Sequence, residues 1–267
     1  MTKVVEQARR LRAEGKTATA ETLLLEAGWG LPNREAARQA YDEMFPPNAI
    51  LKQWLDGALA DAQSQDRDVK RKALAAVVHE ALSEATPSSG VWLRSPRTTG
   101  ILIALLRDPD PVAADGACLT LCRVFSLYFR DQRAYKDLVT LLGSVRWLTR
   151  MWAVRAVCAL RRPDSFQHIE TLLADPEPMV RSQTFDWLDR SAQMDVLSEK
   201  ELLRLERAAR AALQDGNATV RARATTVLAR IGDRTTLEQL SGRYDPSRLV
   251  QNTIAWAIKE ISARSGD

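Results

Sequence analysis

Apolar positions in the stretch ALQDGNATVRARATTVLARIG, residues 212–232, fall into two stripes separated by a polar break. Leu213 closes one helix face, Asp215-Gly216-Asn217 interrupts it, and Thr219-Val220-Arg221 opens the next. Val220, Ala224, Val227, Leu228 and Ile231 then recur at i, i+4, i+7, i+8 and i+11, which is one face of an α-helix. The same order of events repeats along the chain. Leu105-Leu106 precedes Asp108-Pro109-Asp110-Pro111, with Ala117, Leu121 and Val124 behind. Leu172-Leu173 precedes Asp175-Pro176-Glu177-Pro178 and Val180-Arg181, and Leu237 with Leu240 precedes Asp245-Pro246 and Val250-Gln251. Second-helix anchors Arg150, Arg181, Arg221 and Gln251 recur every 30 to 40 residues, one helical hairpin per unit. Sustained alternation of β-branched and polar residues is missing. The pattern predicts an all-α chain built as a right-handed α–α superhelix, a solenoid of helical hairpins.

The start of the chain reads differently. Val4, Ala8 and Leu11 mark one helix, Gly15-Lys16 a turn, and Ala20, Leu24 and Ala27 a second helix, with Pro32 after the stop. This hairpin resembles a single tetratricopeptide repeat, which implies an N-terminal cap on the array. Asn33 is placed to cap a further helix that Pro46-Pro47 ends. The expected division is therefore a cap over residues 1–47 and a repeat array over 48–267. One long loop is expected at 83–99, where two prolines, a glycine and many hydroxyls discourage a helix. Trp92, Arg94 and Arg97 within it are residue types that anchor interfaces; alternatively Trp92 folds back over the core.

Over residues 50–263 the pattern resembles HEAT repeats, especially the short bacterial HEAT-like units also found in phycobilisome lyases. Residues 172–181 and 213–221 carry the resemblance best: an apolar helix end, Asp two residues past the last Leu, then Val-Arg. Two units depart, with Ala114 where Arg is expected and Ser144 where Asp is expected. The resemblance implies an elongated scaffold that binds macromolecules, with catalysis rare. It also implies that Asp175, Arg181, Asp215 and Arg221 form a structural ladder between adjacent repeats, and that second helices line the inner surface.

Charge and composition narrow the partner only slightly. The net charge is +4 with most of the excess after residue 200, and the sequence pI is about 9.1, which permits an acidic partner. Cys118, Cys122 and Cys158 sit in apolar stripes and read as small buried hydrophobes. With only His79 and His168 beside them, no metal site and no cofactor is expected. No membrane-length apolar run and no leader pattern is visible, so a cytoplasmic monomer is expected.

Motifs for catalysis are missing: there is no phosphate-binding glycine loop, G-x-S-x-G or H-E-x-x-H. Asp186 and Asp189 share a helix at i, i+3, a spacing compatible with acid–base work but commoner on solvated faces. One enzyme reading rests on resemblance alone. Trp147, Arg150 and Trp152, in a segment rich in arginine and free of acid, resemble part of the HEAT-like alkylpurine DNA glycosylases, without their Trp-Asp motif upstream. The plainer reading places Trp147 and Trp152 in the core.

Binding candidates follow from helix geometry, because positions 2, 5 and 9 beyond each anchor share a face apart from the core stripe. Those positions hold Lys72, Arg123, Trp152, Arg155, Asp186, Arg190, Arg223, Arg230 and Trp256. The leading expectation is a non-enzymatic adaptor that holds an acidic protein segment on this face. A nucleic-acid binder, extending to a glycosylase, is the second reading, and a lyase-like or chaperone subunit the third.

Overall fold

The computed structural model describes residues 2–29, 35–45, 49–82, 96–127 and 130–265. Every regular element among them is helical. The packing divides into two compact units, residues 1–143 and 144–267.

In the first unit, α1 (Thr2–Ala13), α2 (Thr17–Trp29) and α3 (Glu35–Met44) pack together around Ala8, Ala20, Leu24, Ala37, Ala40 and Tyr41. Gly15 sits in the α1–α2 turn at φ +76°, a conformation that favours a residue without a Cβ. The Tyr41 hydroxyl donates to Glu21 at 3.0 Å, so this buried acid has a partner. Next come α4 (Ala49–Ala62) paired with α5 (Arg67–Leu82), and α6 (Pro96–Leu105) paired with α7 (Pro111–Leu127); α5 packs on α7. A 3₁₀ turn, Gln132–Ala134, leads into the short α8 (Tyr135–Leu141). Helix α6 begins at Pro96, inside the stretch expected to be loop to residue 99. Proline at the first helical position loses no hydrogen bond and presets φ, so it opens this helix instead of preventing it. Thr98 and Thr99 are fully buried in its first turn. The remainder of the expected loop, residues 83–95, and the 47/48 division lie outside the described residues.

The second unit holds α9 (Trp147–Ala159), α10 (Ser165–Ile169) with the 3₁₀ turn Glu170–Ala174, α11 (Pro178–Gln193), α12 (Glu199–Ala212), α13 (Ala218–Ile231), α14 (Arg234–Ser241) and α15 (Arg248–Ser265). Helices α9, α11, α13 and α15 pack successively on one another, while α12 and α14 lie on α13 and α15. The sequence explains both starts and stops. Asn217 accepts from the Thr219 and Val220 amides, Asp233 from Thr236, and Ser198 with Glu201 forms a reciprocal capping box. Val180, Leu188, Val220, Ala224, Val227, Leu228, Val250 and Ile261 are buried where the 3.6-residue stripe put them, Ile231 and Ile258 are half-buried, and Phe185 and Ala257 join the core from beside the stripe.

Gly232 ends α13 and donates to the Leu228 carbonyl at 2.8 Å. A Cβ there would stand 2.5 Å from that oxygen and 2.8 Å from the Thr236 Cβ, although φ itself is ordinary at −72°. Gly232→Ala should therefore destabilise the chain by about 1–3 kcal/mol through overpacking. An unchanged denaturant midpoint would show that the corner relaxes freely.

The three cysteines are free thiols and buried, as their apolar setting predicts. Burial, and then the nearby Asp115 charge, pushes the Cys118 thiol well above its ordinary range. No helix among the described residues is long and apolar enough to cross a membrane.

Candidate functional site

Two sets of arginines occupy the second helices, and they do different work. The first set lies at the anchor positions. Arg181 donates through Nε and Nη2 to both oxygens of Asp215, at 2.7 and 2.8 Å, and through Nη1 to the carbonyls of Asp175 and Pro176. Arg150 does the same with Asp175 and with the Ser144 and Val145 carbonyls. Arg221 repeats it with Asp245 and with the Asp215 and Gly216 carbonyls. Each aspartate also accepts the amide two residues on, from Glu177, Asn217 and Ser247. The ionic bond of each arginine crosses to the aspartate of the next repeat. Within a repeat, Asp175 to Arg181 and Asp215 to Arg221, the link runs through the aspartate's backbone carbonyl.

The first unit has its own rung, Arg71 to Asp110 at 2.8 and 3.0 Å, with Lys70 bonded to Asp108 beside it. In the same register α7 carries Ala114 and the turn before α9 carries Ser144, so side chains for one rung are missing from the sequence there. Ser144 keeps the turn half of the aspartate's role, accepting the Arg146 amide. Gln251 keeps the carbonyl half of the arginine's role, donating to Asp245 O at 3.1 Å. A bidentate fork with extra bonds on both partners is the geometry in which a partly buried ion pair adds order.

Arginine donors hold several of these carboxyls below the usual range. Arg71 is the main cause at Asp110, as Arg221 is at Asp245. At Asp215 burial pushes upward, and the Arg181 and Asn217 bonds outweigh it. A carboxyl depressed in the folded state contributes stability above its unfolded value, about 3.9, and loses it as pH falls through the folded value. Denaturant midpoints should accordingly be flat from neutrality to about pH 5 and fall steadily below pH 4. A midpoint that rises on acidification would contradict the ladder.

The second set of arginines lies on the face that the sequence singles out. On α13, Arg223 Nη1 reaches Asp186 Oδ1 at 2.9 Å; on α11, Arg190 Nε reaches Asp186 Oδ2 at 3.3 Å. Two guanidiniums therefore sit on opposite oxygens of one carboxylate. The Arg190 guanidinium also stands 5.2 Å from the Trp187 ring centre. Arg155 on α9 stands 4.5 Å from Trp152 and 5.7 Å from the same Trp187. No carboxylate pairs with Arg155 among the described residues, and its Nε is buried with no acceptor. Arg223, Arg190 and Arg155 follow one another across three helices, lined by two indoles, with Asp186 the one carboxylate that pairs with them among the described residues.

Arg230 differs from these. It donates to the buried Asp189 at 2.7 Å, and Asp189 also accepts from Gln193, so this pair is structural. Trp256 is 40% exposed on α15. Trp152 is half-buried and Trp147 is 42% exposed, so neither belongs to the core. Lys72 and Arg123 belong to the first unit; Lys72 is exposed beside an open groove of about 530 Å³ between α4 and α5. Trp92 and Arg94, and the side chains of Arg97 and His79, lie outside the described residues. No group of His, Cys, Asp or Glu that could hold a metal is found among the described residues. Sequence reasoning missed the partition of this face by Asp186 and Asp189, whose i, i+3 spacing was the available signal.

Helical hairpins stacked in series with an arginine–aspartate ladder define an α-solenoid fold. Residues 98–188 match the family model for HEAT repeats. Among solved structures the chain is similar to an engineered protein, at TM-score 0.59 and 16% identity, covering 78% of this chain and 96% of that one. It is also similar to the designed armadillo repeat protein YIII(Dq)4CqI, at TM-score 0.57 and 17% identity over 78% and 99%. A third is the designed armadillo repeat protein YIII(Dq.V1)4CPAF in complex with peptide (KR)4, at TM-score 0.58, 17% identity and the same coverage. Identities this low speak for the fold alone. No curated protein matches the sequence.

Proposed function

We propose that this protein is a non-enzymatic scaffold that holds an acidic protein segment on the second-helix face of residues 144–267. The observation that carries the reading is the arc of Arg155, Arg190 and Arg223, where two guanidiniums share one carboxylate and the third, stacked on the indoles, has none among the described residues. Arg155 is held between two indoles with its charge unpaired by any carboxylate among the described residues, which leaves it to attract an incoming anion. One structural neighbour, the designed armadillo repeat protein YIII(Dq.V1)4CPAF, is in complex with a peptide, (KR)4. The sign of charge is reversed here, so the partner segment should be acidic.

Protein is favoured over nucleic acid by how compact the arc is. Beyond it, Arg230 is neutralised by Asp189, and α15 contributes Trp256 and Glu260. A nucleic-acid groove needs cations along many phosphates and open aromatic faces, whereas both indoles here already carry arginines. The test is fluorescence anisotropy with labelled oligoglutamate, oligolysine and single-stranded DNA at near-physiological salt. Saturable binding of oligoglutamate alone is expected. Preference for DNA at that salt would move the protein to the nucleic-acid class.

A further inference from the structure

The same arc has a charge and a shape that select among acidic groups. Three guanidiniums against Asp186 leave an excess of two positive charges. Arg190 and Arg223 already converge from two helices on a single oxyanion group, with Asp186 as the resident occupant. Both side chains are well exposed, at 56% and 44%, so a second anion can reach their remaining donors from solvent. Arg155 approaches the same indole as Arg190 from the neighbouring helix. A carboxylate offers one charge and two oxygens to this set. A phosphate monoester offers three acceptor oxygens and nearly two charges at neutral pH, which matches both the excess and the convergence of forks.

We infer that Arg155, Arg190 and Arg223 form a docking site for a phosphorylated side chain within the bound protein segment. The inference rests on the proposed function and sharpens it: phosphorylation of the partner switches its affinity for the scaffold. Asp186 keeps the empty forks apart and oriented, and it competes with weaker monoanions.

The test uses the full chain and three labelled peptides, identical and glutamate-flanked, with serine, glutamate or phosphoserine at the centre. The phosphoserine peptide should bind at least about tenfold more tightly than the glutamate peptide. That gain should vanish in the Arg190→Gln/Arg223→Gln variant, and inorganic phosphate should compete with the phosphopeptide. Asp186→Asn, which removes the resident anion, should tighten phosphopeptide binding several-fold. Equal binding of the glutamate and phosphoserine peptides overturns the inference and leaves the acidic-segment reading standing. Failure of all three peptides overturns both. Single-stranded DNA that displaces the phosphopeptide at equal concentration assigns the phosphate site to nucleic acid and overturns it as well.

Discussion

Arg181→Ala is expected to lower the unfolding free energy by about 2–4 kcal/mol. The side chain makes four hydrogen bonds, two to Asp215 and two to carbonyls of the preceding turn. Its removal leaves the Asp215 carboxylate, only 12% exposed, with the Asn217 amide as its remaining donor. An uncompensated, half-buried carboxylate costs more than the lost bonds would suggest, because the charge was already desolvated. Coupling between repeats spreads the damage, since stacked hairpins draw stability from their neighbours. Arg181→Lys should recover only part of the loss, because a point charge cannot span both carboxylate oxygens. The comparison is Arg204→Ala, which breaks an exposed pair with Glu170 and should cost at most about 1 kcal/mol. Denaturant midpoints followed by circular dichroism decide it. Equal shifts in the two alanine variants would mean that the ladder is ornamental.

The Arg190→Gln/Arg223→Gln variant is expected to bind oligoglutamate about 100-fold more weakly than the parent chain. Two charge-assisted hydrogen bonds, each contributing about 1.5 kcal/mol, correspond to roughly that factor. Both guanidiniums are largely solvated, but the exchange also takes both ionic donors from Asp186, itself 15% exposed, so a loss of about 1–2 kcal/mol is expected and affinity is measured on the folded variant. Arg230→Gln should show the opposite balance, because its loss strands the buried Asp189 and lowers the unfolding midpoint before it touches affinity. Measuring midpoint and affinity for both variants separates the two roles. Full binding by the Arg190/Arg223 variant would place the partner surface elsewhere on the chain.

Much of this architecture was legible because repetition multiplies a weak signal. A single Val-Arg after an Asp turn means little, whereas Val180-Arg181 and Val220-Arg221 in the same register define a unit. The helix stripe, the buried cysteines and the identity of the anchor residues follow from period and composition alone. The loop expected to residue 99 was misjudged at its end because Pro96 reads as a breaker, yet at the first helical position it is a starter. The candidate site was legible as a list of positions on one face. Its grouping was not: Asp189 falls outside the face positions by sequence, yet it removes Arg230 from the free cations, while Trp187 belongs to the core stripe and still carries two arginines.

Periodicity by itself determined that the chain is all-α, that it is built from hairpins, and which stripe of the second helices faces the core. Those properties depend on neighbours three to eleven positions away, and the helix repeat converts such distances into direction. Only the tertiary structure decided that Arg181 meets the aspartate of the following repeat, and that Arg155 is left without a carboxylate while Arg190 and Arg223 share one. Ion pairing depends on separations of a few ångströms between residues some 25 to 41 positions apart, and stacked helices set those separations through packing that no local pattern records.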